Sequence, residues 1–124
     1  MAKRILVGED DSLLSSMIVR RLDAEGYDTE ATYDGEQTIK KIRDWKPDLL
    51  LLDILMPGKS GYDVLEVMRA EGIHASMHVI ILSNLSAKED IARAQKYGVT
   101  DFLVKARTTL AEVAEKVKSV LSAS

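Results

Sequence analysis

The chain has 124 residues, 46% hydrophobic and 30% charged, with a net charge of -3 and no cysteine. That size fits one domain, read as residues 1–124, and the composition is that of an ordinary globular protein without a basic stripe for nucleic acid. Disulfides and thiolate metal sites are excluded. No apolar run is long enough to span a membrane, and the start of the chain does not read as a secretory leader. The expectation is a cytoplasmic protein that binds neither membrane nor nucleic acid directly.

Ile5-Leu6-Val7 predicts a first strand, ending in Gly8 and the acids Glu9, Asp10 and Asp11. Leu13, Leu14, Met17, Ile18 and Leu22 recur at helical spacing up to Gly26, a C-terminal cap. Thr29 to Tyr33 is a weak second strand. Asp34-Gly35-Glu36-Gln37 resembles a capping box and opens a helix with Ile39, Ile42 and Trp45 on one face. Leu49 to Ile54 is a strand buried on both faces, as in the middle of a parallel sheet. It delivers Asp53 to the end where the apolar run stops, and Pro57, Gly58 and Gly61 open a loop there. Asp53 alone reads equally as nucleophile, metal ligand or cap.

Ser60-Gly61-Tyr62-Asp63 starts a third helix, and His78 to Leu82 forms a fourth strand ending at Ser83-Asn84. Ser86-Ala87-Lys88-Glu89 is the clearest capping box in the sequence and predicts a fourth helix with a narrow apolar stripe. Phe102-Leu103-Val104 is the fifth strand, ending at Lys105. Thr109 to Glu112 caps a last helix with Leu110, Val113, Val117, Val120 and Leu121 facing the core. Five strands alternating with five helices predict an α/β fold: a parallel sheet with helices on both faces.

In a parallel sheet, Glu9, Asp10, Asp53, Ser83 and Lys105 all fall on one edge. Clustered carboxylates repel one another, and a hard divalent cation such as Mg²⁺ relieves that repulsion while keeping positions open for phosphoryl oxygens. Lys105 supplies a further positive charge and Ser83 a hydroxyl, leaving Asp53 to attack phosphorus. Singly, Glu9 and Asp10 are as well explained as a solvated loop, and Ser83 and Lys105 are better explained as a turn residue or cap and a surface lysine. Their coincidence at one end of the strands favours chemistry. His74 and His78 lie away from this edge and read as surface residues, and Trp45 reads as helix packing.

The segments 5–11, 51–61, 80–83 and 102–105 closely resemble the receiver domain of bacterial response regulators. The resemblance covers the whole chain. It implies a flavodoxin-like (βα)5 fold with strand order 2-1-3-4-5, Asp53 as phosphoacceptor, and Mg²⁺ held by Glu9, Asp10, Asp53 and the Leu55 backbone carbonyl. Ser83 and Phe102 would be the switch pair. A histidine kinase or phosphotransfer protein would be the donor, and a separate protein or a removed output domain the target. Two departures stand out. Lys105 is usually followed by proline, here Ala106, and the resemblance allows a cis bond there at a cost of about 2.5–4 kcal/mol. The residue after the hydroxyl is usually small, here Asn84, narrowing access to the site. Thr100 and Glu115 replace an acid and an arginine of the winged-helix DNA-binding class, which weighs against that class's dimer.

The sequence thus points to a phosphorylation-dependent switch that assists its own phosphorylation and dephosphorylation, not an enzyme acting on a metabolite. The alternatives are a phosphatase with an aspartate nucleophile and an inert binding module. The phosphatase class usually has a second acid where Leu55 stands. The joint presence of Asp53, Ser83 and Lys105 argues against inertness.

Overall fold

The computed structural model describes residues 2–123, except the side chains of His74 and Ala75. Five parallel strands, β1 (Arg4–Gly8), β2 (Asp28–Thr32), β3 (Leu49–Leu52), β4 (His78–Ser83) and β5 (Asp101–Val104), form one sheet in the order β2-β1-β3-β4-β5. They alternate with α1 (Ser12–Ala24), α2 (Gly35–Trp45), α3 (Gly61–Ala70), α4 (Lys88–Lys96) and α5 (Leu110–Ser122). The fold expected from the alternation is the fold found. Among the described residues, no helix is long and apolar enough to cross a membrane.

β3 shows why the sheet needs helices on both faces. Successive side chains of a strand point to opposite faces. Leu49 and Leu51 accordingly enter a cluster with Ile18, Leu22, Val113 and Val117 from α1 and α5. Leu50 and Leu52 enter the other, with Ile42, Val64, Leu65 and Met68 from α2 and α3. All four leucines are buried, so no polar face is left in this strand.

The strand is two residues shorter than the sequence reading. The last β1–β3 pair is Gly8 with Leu52. Beyond it the Asp53 N–H still donates to the Gly8 carbonyl at 2.9 Å, but the Asp53 side chain accepts from the Leu55 N–H at 3.1 Å and turns the chain out of the sheet. Gly61 then passes so close that a Cβ there would lie 2.5 Å from the Asp53 carbonyl oxygen. Only glycine allows α3 to start this near the strand end.

The capping boxes at Ser60–Asp63 and Thr109–Glu112 form with both reciprocal bonds. At Asp34 only half forms: its side chain accepts from the Gln37 N–H, whereas Gln37 reaches back to the Tyr33 N–H. The box expected at Ser86 does not form. Ala87 is the N-cap of α4 and no side chain caps that end. The Ala87 carbonyl accepts from the N–H groups of Asp90 and Ile91, so the helix begins one residue later than the motif implies.

The isomer of the Lys105–Ala106 bond, which the resemblance left open, is trans. No peptide bond among the described residues is cis. Without proline the trans form is strongly favoured, and the chain makes a short 3₁₀ turn over Lys105–Arg107. His78 opens β4 half-buried at the opposite end of the strands, and the His74 side chain lies outside the described residues. Trp45 packs against the α2–α3 cluster, with Arg4 and Lys41 over its ring.

Candidate phosphoryl-transfer site

Strand register assembles the site. One residue past the Gly8–Leu52 pair stand Glu9 and Asp53, just beyond the ends of neighbouring strands. Both are buried, at 2% and 3% exposure, while Asp10 beside them is exposed. Oxygens of the three carboxylates lie within 4.8 Å of one another. On the other side β4 ends at Ser83, paired with Val104, and Lys105 follows. The Lys105 ammonium reaches back between two acids: Nζ is 2.5 Å from Asp53 Oδ2 and 2.6 Å from Glu9 Oε1.

Burial of Glu9 pushes its carboxyl pKa up, and Asp53 adds repulsion, against the lowering effects of Lys105 and the Asp11 N–H. For Lys105, burial alone would push the pKa down. Its hydrogen bonds to Asp53 and Glu9, with their negative charge, outweigh that and hold it above the ordinary lysine value. The ammonium is therefore charged at neutral pH. It balances only part of the negative charge, leaving a hard-oxygen cluster with an exposed acid at its mouth. Such a donor set suits a hard divalent cation.

Asp53 does not cap a helix: its Oδ1 serves the Leu55 N–H, and α3 is capped by Ser60. Ser83 is fully buried, and its Oγ accepts from the Leu85 N–H at 3.4 Å. Phe102 is not drawn to the carboxylates. It is half-buried on β5 and packs towards the cluster beneath α3 and α4. Leu55 is 54% exposed at the rim.

Two site contacts escaped the sequence reading. Asp11 caps α1 by accepting from the Leu14 N–H, while its own N–H donates to Glu9 Oε2 at 3.0 Å. An acid three residues ahead of a helical apolar position was the available signal. The second is a bond from the Ala106 N–H to Asn84 Oδ1 at 3.0 Å, joining the loops after β4 and β5. Nothing in sequence spacing announces it.

Residues 5–118 match the model of the response regulator receiver domain. The chain belongs to this family. It is 35% identical over 105 residues to the DNA-binding response regulator MtrA of Mycolicibacterium paratuberculosis, covering 85% of this chain and 45% of that one. It is 28% identical to the phosphate regulon regulatory protein PhoB of Klebsiella pneumoniae, covering 98% and 52%. The receiver thus spans about half the length of the curated relatives it matches. Among solved structures it resembles the receiver domain of Francisella response regulator 1452, with a TM-score of 0.87, 28% identity and 94% of each chain covered. It also resembles a CheY-like receiver domain from Methanospirillum hungatei, with a TM-score of 0.90, 25% identity, and 98% and 95% covered. Receiver domains of two-component response regulators are signalling switches, and the match favours that reading over the hydrolase and the inert module. They bind Mg²⁺ through acidic residues, and the cluster of Glu9, Asp10 and Asp53 is of that kind.

Proposed function

We propose that Asp53 accepts a phosphoryl group from a phosphohistidine on a histidine kinase or phosphotransfer protein, and that Ser83 and Phe102 convert this into a change of shape. The observation carrying this reading is the position of Lys105 Nζ, held between Asp53 and Glu9 beside an exposed third acid. An Asp53 carboxylate oxygen attacks phosphorus, and the bond to the donor nitrogen breaks with its electron pair returning to the imidazole. Lys105 is placed to follow the charge developing on a phosphoryl oxygen. The Ser83 hydroxyl, at the next strand end, donates to another once the β4–α4 loop moves. Glu9, Asp10, Asp53 and the Leu55 carbonyl would hold Mg²⁺, which when bound neutralises phosphoryl oxygens. The whole of residues 1–124 acts as one such unit in the cytoplasm. Its output reaches a separate protein or a further domain of a longer chain, as the name DNA-binding response regulator indicates for MtrA.

The test is incubation with Mg²⁺ and phosphoramidate. Parent protein is expected to gain one base-labile phosphate, and Asp53→Asn none. Undiminished labelling of Asp53→Asn would place the acceptor elsewhere. Asp10→Ala is expected to lose most Mg²⁺ affinity by calorimetry, since few protein groups share the metal.

A further inference from the structure

Asn84 and Ala106, the two departures from the receiver pattern, are hydrogen-bonded to each other: the Ala106 N–H donates to Asn84 Oδ1 at 3.0 Å. Proline at 106 would fix φ and offer no donor. Alanine gives up the fixed φ and supplies the N–H that Asn84 takes. One restraint on the lysine loop is thereby exchanged for another, which comes from the loop carrying the switch hydroxyl.

We infer that Asn84, through the Ala106 N–H, positions Lys105 for phosphoryl transfer and couples the β4–α4 loop to the lysine loop. The inference rests on Asp53 being the phosphoacceptor. The turn over Lys105–Arg107 is closed locally on its exit side, where the Thr108 N–H donates to the Lys105 carbonyl at 3.3 Å and Thr108 Oγ1 to the Val104 carbonyl at 2.7 Å. The Asn84 bond spans 22 residues of sequence and reaches the turn from the neighbouring strand end. Asn84 directly follows Ser83, whose Oγ accepts from the Leu85 N–H. Motion that carries the Ser83 hydroxyl towards a phosphoryl group therefore carries the Asn84 acceptor with it, and the Lys105 turn follows. Asn84 and Ala106 are both exposed, so water competes for each group. Losing the bond disturbs the turn more than the stability of the fold.

The experiment compares the 124-residue parent with Asn84→Ala, Ala106→Pro and the double variant, using phosphoramidate and Mg²⁺. Asn84→Ala is expected to label about three- to tenfold more slowly, the range for loss of one ordinary hydrogen bond. Its Ala106 amide should exchange faster, the Lys105 Nζ resonance should shift, and the thermal midpoint should stay put. In the Ala106→Pro background, where no N–H remains, Asn84→Ala should change nothing further. An unchanged or faster rate in Asn84→Ala would mean that Asn84 only narrows access and would overturn the inference. Equal slowing in the proline background would overturn it too. Should the parent itself fail to label, the functional reading falls. The amide exchange and the Lys105 resonance still decide whether Asn84 sets the lysine.

Discussion

Glu9 is 2% exposed and shares the Lys105 ammonium with Asp53. Its pKa is raised, chiefly by burial, so the folded state holds a proton on it more readily than the unfolded chain does. The stability it contributes is full below about pH 4.5 and is lost as pH rises through the raised value; at neutral pH the charged form is a cost. Glu9→Gln keeps the shape and one acceptor, and Lys105 keeps Asp53. In chelating buffer at pH 7, thermal unfolding of Glu9→Gln should move up by a few degrees and lose part of its pH dependence. A lower midpoint would show that the Glu9–Lys105 pair outweighs the burial. At the rim, Leu55 is 54% exposed and Leu85 half-buried. Neither can orient a water against phosphorus. Leu55→Asn with Leu85→Glu should speed loss of phosphate severalfold, read as decay of the phosphoprotein in Mg²⁺ after removal of the donor. Equal decay rates would show that these leucines do not govern water access.

Among the five helices, α4 has the weakest hold on the core. Ala94 is its one buried residue among those described. Polar and aromatic ties to α3 do the rest: Tyr62 donates to the Asp90 carbonyl at 3.0 Å and Arg93 stacks on the Tyr62 ring. Tyr97 donates to Glu66 at 2.8 Å under Arg69. Little apolar area and exposed hydrogen bonds make a segment that opens before the rest. Amides of α4 should therefore exchange faster than those of α1, α3 and α5. The bare N-terminus offers a remedy. Ala87→Ser, with Asp90 three residues on, recreates the box seen at Ser60 and Asp63 and should stabilise α4 locally by about 0.5–2 kcal/mol. Slower exchange confined to α4 is the expected result. No change would mean that the extended Ala87 backbone does not present a serine hydroxyl to the helix.

At the scale of the whole molecule, β3 is the partition between two cores and the shelf on which Asp53 stands. Truncating a leucine here opens a cavity between layers that cannot collapse independently. Leu50→Ala should destabilise the fold by about 2–5 kcal/mol, measured by urea unfolding with an unchanged slope. The same variant should still accept phosphate when folded, since Leu50 faces the α2–α3 cluster and not the carboxylates. A loss below 1 kcal/mol would mean that the two layers relax around the gap more readily than close packing allows.

The apolar runs and helical spacings determined the element order, because burial on two faces writes a continuous leucine strand and burial on one face writes a periodic helix. With the crossover rule they also determined that Glu9, Asp10, Asp53, Ser83 and Lys105 share an edge. Ser60 and Thr109 were legible as caps because a capping box is a contact between residues three apart. Ser86 misled for a related reason: the same local pattern was offered at a site where the chain entering from β4 starts the helix one residue later. The trans bond after Lys105 follows from the lack of proline there, whereas the ammonium shared by Asp53 and Glu9 and the Asn84–Ala106 bond were decided by tertiary structure alone. The last two join residues brought together by strand register across 22 residues or more, and no local spacing encodes which side chain will fill the space between two loops.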